Sequence, residues 1–330
     1  MDIYDRLRQY EILSHFDGEE LDHLVECTSL VHFDPGSSIL KEGDTTADFY
    51  LIDRGRVEIK RNTPYGSYSL AELKAGDVFG ETSFVDNKAR SGDAVVLEET
   101  DLFVVKKAQL DKYLKSNQRF TLAVYWALWK SLSQKLRTTN QSLAQFFGKE
   151  GGPQRTLDPQ AVESGDIKVG LREKRELFRE QTLSPMEINF LATLSKERKF
   201  GPHEYIFRDG EQGEHLFVVL EGQVMIAKEV GGAGEEALAF LQRGDYFGEM
   251  ALIDQKPRSA SAKTHQEGAV VLMIPREVLE GILDIQKVSS LRLLRILCGL
   301  IAKRLREIDD KLVGWYIFDA GSGDSLGLPT

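Results

Sequence analysis

The sequence predicts a mainly β protein with flanking helices, built from two copies of one domain in tandem. Short apolar stretches alternate with glycine turns, long helical segments follow each group of them, and one motif occurs twice. Many short strands with glycine turns are typical of sandwiches and barrels. A chain of 330 residues is long enough for two domains of ordinary size, each with its own core.

The repeat is the clearest of these observations. Residues 76–80 read Gly-Asp-Val-Phe-Gly, and residues 244–248 read Gly-Asp-Tyr-Phe-Gly. The stretches that follow, ETSFVDNKARSGDA from Glu81 and EMALIDQKPRSASA from Glu249, align without a gap at an offset of 168 residues. Upstream glycines align at an offset of 167, which places a one-residue insertion in a hairpin loop. A period this long indicates a domain duplication and not a solenoid.

Strands fill the middle of each repeat. Residues 49–61 and 216–228 both show an apolar strand, a glycine turn and a second strand with alternating apolar positions, which predicts a hairpin. We predict domains at residues 1–147 and 173–313. Residues 148–172, rich in glycine, proline and polar side chains, are predicted to be a linker, and residues 314–330 a loose tail.

Helices are predicted on both sides of each strand region. Entry helices are expected at residues 19–27 and 185–194, the second with Ser184 as N-cap, proline at the first position and Glu187 at the third. Long helices are expected at about residues 118–147 and 288–313. An apolar stripe along the last helix fits either packing on the protein's own domain or a homodimer seam. Its members are Leu294, Leu297, Ile301, Leu305, Ile308 and Leu312.

The composition is that of an ordinary globular protein, with 42% hydrophobic residues and a net charge of −10. Nucleic-acid-binding proteins usually carry a basic surface, so the acidic composition of this chain disfavours that class of protein.

No apolar stretch approaches the roughly 18 residues of a membrane span, and the charged amino terminus is unlike a signal peptide. We therefore expect a cytoplasmic protein in which Cys27 and Cys298 are isolated thiols. The six histidines lack metal-ligand spacing and no catalytic triad pattern occurs, so we expect neither a metal site nor an enzyme.

The chemistry is concentrated in Phe-Gly-Glu-Met-Ala-Leu from position 247, followed by Pro-Arg-Ser-Ala from position 257. We call residues 247–260, and residues 79–92 of the first repeat, the cassettes. Gly248 allows close approach of the backbone, Arg258 can bind phosphate oxygens in a bidentate fork, and Glu249 can accept from a ribose hydroxyl. A cyclic ribose phosphate requires these groups in one pocket.

The second repeat closely resembles the cyclic-nucleotide-binding domains of the catabolite activator protein and of protein kinase A regulatory subunits. That family's motif reads Phe-Gly-Glu-x-Ala-Leu and then Pro-Arg-x-Ala, and the resemblance covers both repeats. It implies an eight-stranded jelly-roll barrel with flanking helices in each repeat. It also implies that the ligand phosphate lies on Gly248, Arg258 and the backbone of Ala251 and Ser259, with the ribose on Glu249.

Twelve residues are candidate ligand contacts. They are Gly248, Glu249, Met250, Ala251, Arg258 and Ser259 in the second repeat, and Gly80, Glu81, Thr82, Ser83, Arg90 and Ser91 in the first. The first cassette departs from the motif, because Ala89 replaces the proline. Asp93 lies near the expected phosphate position and would repel the ligand if it faced the pocket. The sequence therefore predicts two unequal sites, the second one stronger.

The predicted function is a cyclic-nucleotide receptor that signals through contacts with an effector protein that the sequence does not identify. The ligand is expected to be cAMP, with cGMP open because the hydroxyls of Ser91 and Ser259 follow the cassette arginines. Trp126 and Trp129 are expected to pack in the core or between the domains and not to stack on a base. We expect no helix-turn-helix after position 313, and we find no pseudosubstrate sequence of the regulatory-subunit type. The alternative is a structural scaffold whose repeats no longer bind a ligand.

Overall fold

The structure of the protein is a computed structural model. It describes residues 2–147, 165–181, 183–230, 234–284 and 287–322. These residues form two compact units, one made of Met1–Leu132 with Ala302–Thr330 and the other of Ser133–Ile301. The predicted boundaries assigned each long helix to the domain before it, whereas the compact units divide both helices.

Eight strands form the first repeat, in two antiparallel four-stranded sheets of order β1-β8-β3-β6 and β2-β7-β4-β5. Hydrogen bonding joins these described strands into two sheets and not into one closed barrel, so the predicted eight-stranded barrel is not confirmed. The strands are β1 (Thr28–Phe33), β2 (Ser38–Leu40), β3 (Phe49–Arg54), β4 (Arg56–Thr63), β5 (Gly66–Lys74), β6 (Val78–Phe79), β7 (Asp93–Val96) and β8 (Thr100–Val105).

Helices cover one of these sheets. They are α1 (Ile3–Leu7), α2 (Gly18–Glu26), α3 (Glu81–Asp86), α4 (Lys107–Ser116) and α5 (Gln118–Phe147). Strand β3 explains the arrangement, because its alternate side chains enter two cores. Phe49 and Leu51 pack with residues of the helices, while Tyr50 and Ile52 pack with residues of the opposite sheet. A strand buried on both faces reads as a continuous apolar run, which is what the sequence shows here.

The second repeat has equivalent strands, two pairs of which are joined into single long strands, and one additional short strand at Gly165–Asp166. Its sheet has the order β13-β12-β15-β10-β9, with β11 on β15 and β14 on β12. The long strands β12 and β15 occupy the places of β3 with β4 and of β7 with β8. The strands are β9 (Gly165–Asp166), β10 (Lys196–Phe200), β11 (Tyr205–Phe207), β12 (His215–Val230), β13 (Gly234–Leu241), β14 (Tyr246–Phe247) and β15 (Ser261–Pro275).

Five helices belong to this part of the chain. They are α6 (Leu171–Arg179), α7 (Pro185–Leu194), α8 (Met250–Asp254), α9 (Arg276–Ile282) and α10 (Leu291–Ser322). The predicted start of α7 is confirmed, since Ser184 and Glu187 form a reciprocal capping box. Among the described residues, no helix is both long and apolar enough to cross a membrane.

The predicted linker and tail differ from the structure. Residues 148–164 lie outside the described residues, but Gly165–Asp166 pairs with β10 and α6 begins at Leu171, both inside the predicted linker. Helix α10 continues to Ser322, beyond the predicted end at position 313. The apolar stripe of α10 is buried within the single chain, so a homodimer is not needed to explain it.

Candidate functional site

The second cassette begins at a sharp turn between β14 and α8. Gly248 has a φ of +80°, in the left-handed region that glycine adopts without strain. A Cβ atom at this position would lie 2.6 Å from Nη1 of Arg258 and 3.2 Å from the His215 carbonyl oxygen. Glycine is therefore required both by the turn and by the close approach of the arginine.

Arg258 is the main charged group of this site, and only 6% of its surface is exposed. Its Nη1 donates to the Gly248 carbonyl and its Nη2 to the His215 carbonyl at 2.9 Å. The guanidinium carbon lies 4.2 Å from the centroid of the Phe207 ring. Burial lowers the pKa of Arg258 to about 10, so the group is still a cation at neutral pH.

The Arg258 guanidinium is not fully satisfied. Its Nε atom is buried and has no hydrogen-bond partner within the part of the chain that the structure describes. A buried donor without a partner costs roughly 1–3 kcal/mol, and more when it is charged. An anion that reached this group would recover that cost, which makes Arg258 a suitable phosphate ligand.

The other predicted residues of the second repeat surround this arginine. Glu249 is 2% exposed and stands at the N-cap of α8, where its charge favours the protonated form of Arg258. Met250 and Ala251 are buried in the first turn of α8. Ser259 contacts the Met250 sulfur at 3.6 Å and accepts from Asn140 Nδ2 at 3.3 Å.

A cavity of about 410 Å³ adjoins Arg258 and Ser259. This volume lies within the usual range of roughly 300–1,000 Å³ for small-molecule sites. Four cationic side chains and one acidic side chain line it, an excess of positive charge in a chain whose net charge is −10. The lining residues are Gln134, Arg137, Thr138, Gln141, Asp209, Lys228, Lys256, Pro257, Arg258 and Ser259.

Lys228, which belongs to no motif of the sequence, lies on β12 at the cavity. Its Nζ pairs with Asp209 at 2.6 Å and donates to the Ser259 carbonyl at 3.0 Å. The first repeat has an equivalent pair at the offset of 167 residues, where Arg61 lies 3.1 Å from Glu42. The repeat alignment places a basic and an acidic residue at the same two positions in both copies. This recurrence could have identified Lys228 from the sequence.

The first cassette has the same turn and the same arginine geometry. Gly80 has a φ of +82°, and Arg90 is 4% exposed. Arg90 Nη1 donates to the Gly80 carbonyl at 2.7 Å and Nη2 to the Asp48 carbonyl at 2.6 Å. Burial lowers the pKa of Arg90 as well. The two guanidinium groups are thus held by equivalent carbonyls in both repeats.

The remaining predicted residues of the first site are also close to this turn. Glu81 is fully buried and accepts from Ser131 Oγ of α5 at 3.2 Å. Ser83 is buried, while Thr82 and Ser91 are half-buried. Glu81 therefore places an acidic group near Arg90, as Glu249 does near Arg258 in the second repeat.

Asp93 has a structural role at the start of β7. Its carboxylate accepts from the backbone N–H of Glu42 at 2.8 Å and from Asn62 Nδ2 at 2.6 Å. The equivalent residue of the second repeat, Ser261, accepts from the backbone N–H of Asp209 at 3.0 Å. Both side chains fix the same turn, but only Asp93 adds a negative charge there.

Each cassette also touches a long helix through an arginine that the sequence did not single out. In the first unit, Arg306 of α10 donates to the Ala89 carbonyl at 2.9 Å. In the second unit, Arg137 of α5 donates to the Pro257 carbonyl at 2.7 Å. Ala89 and Pro257 both directly precede the cassette arginine, so the two contacts are equivalent.

Two mainly β repeats, each with a glycine turn, a buried glutamate and a buried arginine, define a class of nucleotide-binding domain. A model of the cyclic nucleotide-binding domain family matches residues 30–117 and 197–286, which contain one cassette each. These matches cover more than half of the chain. The protein therefore belongs to the cyclic nucleotide-binding domain family and carries two such domains in tandem.

Relatives include kinases and a kinase regulatory subunit. A cGMP-dependent protein kinase of Caenorhabditis elegans is 23% identical over 276 residues, which cover 83% of this chain and 29% of the kinase. A cAMP-dependent protein kinase regulatory subunit of Debaryomyces hansenii is 25% identical over 244 residues, covering 73% of this chain and 42% of the subunit. The chain thus spans less than half the length of either curated relative.

Among solved structures, the regulatory domain of Toxoplasma gondii PKA with cAMP is similar, with a TM-score of 0.32 and 19% identity. The similarity covers 88% of this chain and 93% of that one.

Proposed function

We propose that the protein is a cyclic-nucleotide receptor whose second repeat is the stronger binding site. The observation that carries this proposal is Arg258, a buried cation with an unpaired Nε beside a cationic cavity. A cyclic phosphate would bind Gly248, Arg258 and the backbone of Ala251 and Ser259. Glu249 would accept from the ribose 2′-hydroxyl. The first repeat would bind more weakly through Gly80, Glu81 and Arg90.

The ligand we propose is cAMP, with cGMP as the second candidate. The names of the relatives include both nucleotides. Ser259, whose hydroxyl could contact a guanine amino group, already accepts from Asn140 in this structure. A hydroxyl oxygen has two acceptor lone pairs, so it could accept from a guanine amino group as well.

We also propose that the signal leaves through the long helices to a protein partner. The contacts of Arg306 and Arg137 with the cassettes support this route, since a ligand that shifts a cassette changes these contacts. A kinase is one class of partner that the similarity to a regulatory subunit suggests.

Titration calorimetry tests the receptor function directly. We expect heat on titration with cAMP, and a weaker response with cGMP. No heat with either nucleotide at millimolar concentration would reject the receptor function and support the scaffold alternative.

A further inference from the structure

One position differs between the two otherwise equivalent arginine sites. Thr46 precedes β3 in the first repeat, and Gly213 holds the same position, at the offset of 167 residues, in the second. Thr46 contacts Arg90, and a Cβ atom placed on Gly213 would lie 2.8 Å from the guanidinium carbon of Arg258. The two carbonyl hydrogen bonds of the guanidinium are the same in both repeats, so the difference in its hydrogen bonding arises at this position.

In the first repeat, the threonine hydroxyl completes the hydrogen bonding of the arginine. Thr46 Oγ1 accepts from Arg90 Nε and from Arg90 Nη2, each at 3.4 Å. Arg90 is 4% exposed, whereas Thr46 is exposed, so the threonine lies on the solvent side of the guanidinium. The Nε and Nη2 atoms form one edge of the fork with which arginine binds a phosphate in bidentate fashion.

In the second repeat, the Nε atom of this edge lacks an acceptor within the described residues. Gly213 has no side chain, and a Cβ atom built there would lie 3.0 Å from Arg258 Nε and 2.5 Å from the Ala251 Cβ. Space therefore excludes a side chain that could satisfy Nε, which remains buried and unpaired among the described residues. A bound phosphate oxygen would supply the acceptor that the chain does not provide.

We propose that the residue at this position determines how strongly each repeat binds the cyclic phosphate. Thr46 supplies an internal acceptor that competes with the ligand for Arg90, and Gly213 leaves Arg258 dependent on the ligand. The inference rests on the proposed function, because it assumes that the ligand phosphate binds the cassette arginines. It differs from the charge argument for Asp93, since it depends on a neutral hydroxyl.

The test measures the first site alone, in the whole 330-residue chain carrying Arg258→Ala. In this background, we compare Thr46→Val, which removes the hydroxyl at nearly constant shape, and Thr46→Gly, which reproduces the second repeat. Titration with cAMP should show at least tenfold tighter binding for both variants. Thr45→Val is the matched control, because it makes the same change one residue away at an exposed position, and its affinity should equal that of the parent.

Thermal unfolding verifies that each variant is folded. Unchanged affinity in both Thr46 variants, while wild type binds through its second repeat, would overturn this inference and leave the proposed function standing. Tighter binding in Thr46→Gly alone would show that the side-chain volume and not the hydroxyl is responsible, which also contradicts the competition. Absence of cAMP binding in wild type would instead reject the proposed function itself.

Discussion

At the scale of single residues, the cassette arginines are the clearest targets for mutation. We expect Arg258→Ala to weaken cyclic-nucleotide binding at the second site by about 30-fold to several thousand-fold. The reason is that truncating one partner of a largely desolvated charge pair costs roughly 2–5 kcal/mol. Titration calorimetry measures the loss, and circular dichroism verifies the fold. Wild-type affinity in a folded Arg258→Ala protein would remove the phosphate site from this cassette.

Glu249 should act in a different way, through a hydrogen bond to a neutral hydroxyl. Such a bond to a charged acceptor contributes roughly 1.5–3 kcal/mol, so Glu249→Gln should weaken binding less than Arg258→Ala does. The decisive measurement compares Glu249→Gln and wild type with both the nucleotide and its 2′-deoxy form. The mutation should have no effect on the 2′-deoxy ligand, because the hydroxyl is already absent. Equal losses for the two ligands would show that Glu249 is not the ribose acceptor.

The motif predicted these residues because glycine, glutamate and arginine are required at the cassette turn by its local geometry. Gly248 shows this, since its positive φ and its contact with Arg258 are both properties of one turn. The sequence could not show that Thr46 contacts the first cassette and Lys228 the second, because each lies on an element distant along the chain from that cassette. The pairing of strands, and not local sequence, brings them to the cassette.

At the scale of secondary-structure elements, Arg306 ties α10 to the first cassette. Its Nε lies 2.6 Å from Asp86 Oδ2, and its Nη2 donates to Ser83 Oγ at 3.2 Å. The side chains of Arg306 and Asp86 are 15% and 10% exposed, so this pair is largely buried. We expect Arg306→Ala to lower the free energy of unfolding by about 1–3 kcal/mol, because it leaves buried acceptors unpaired.

Lys303→Ala is the control for this prediction. Lys303 lies one turn earlier on α10 and forms an exposed ion pair with Glu307 at 3.7 Å. Such a surface pair contributes only about 0.3–0.5 kcal/mol. Denaturant unfolding of the two variants should therefore differ clearly. Equal stabilities would mean that the Arg306 contacts do not anchor the helix.

Helix α10 also shows why the predicted end of an element failed. Gly314 and the glycine-rich sequence after it predict an end near position 313, since glycine inside a helix costs roughly 1 kcal/mol. The helix nevertheless continues to Ser322. Tyr316 stacks on Tyr68 of β5 with ring centroids 5.2 Å apart, and this packing offsets the weak local propensity. Helix α5, which lacks such an interruption, was predicted with its observed bounds.

At the scale of the whole molecule, the repeat predicted two mainly β domains, and the structure confirms them. It did not predict that the compact units divide α5 and α10. The apolar stripe of α10 explains this failure, because Leu294 and Leu305 are equally apolar and their spacing indicates only that one face is buried. Which core buries each half of the helix depends on long-range packing that the periodicity does not contain.

This division of the long helices leads to a prediction about signalling. In the second unit, α5 residues Arg137 and Asn140 contact Pro257 and Ser259 on either side of Arg258. A phosphate that draws Arg258 toward the cavity should disturb both contacts. We therefore expect cAMP to change the rate of amide hydrogen exchange in residues 133–142 as well as in the cassette. Such a change would report altered local stability of these residues.

The same ligand should stabilise the whole protein, by about 2.7 kcal/mol at a concentration of 100 times its dissociation constant. Arg258→Ala is the control for both effects. It is measured at ligand concentrations that saturate only the second site of wild type. Under these conditions the variant should show neither the stabilisation nor the change in hydrogen exchange. Stabilisation with exchange changes confined to the cassette would mean that the ligand binds without signalling through α5. In that case the proposed route to a protein partner is wrong, although the binding site is correctly placed.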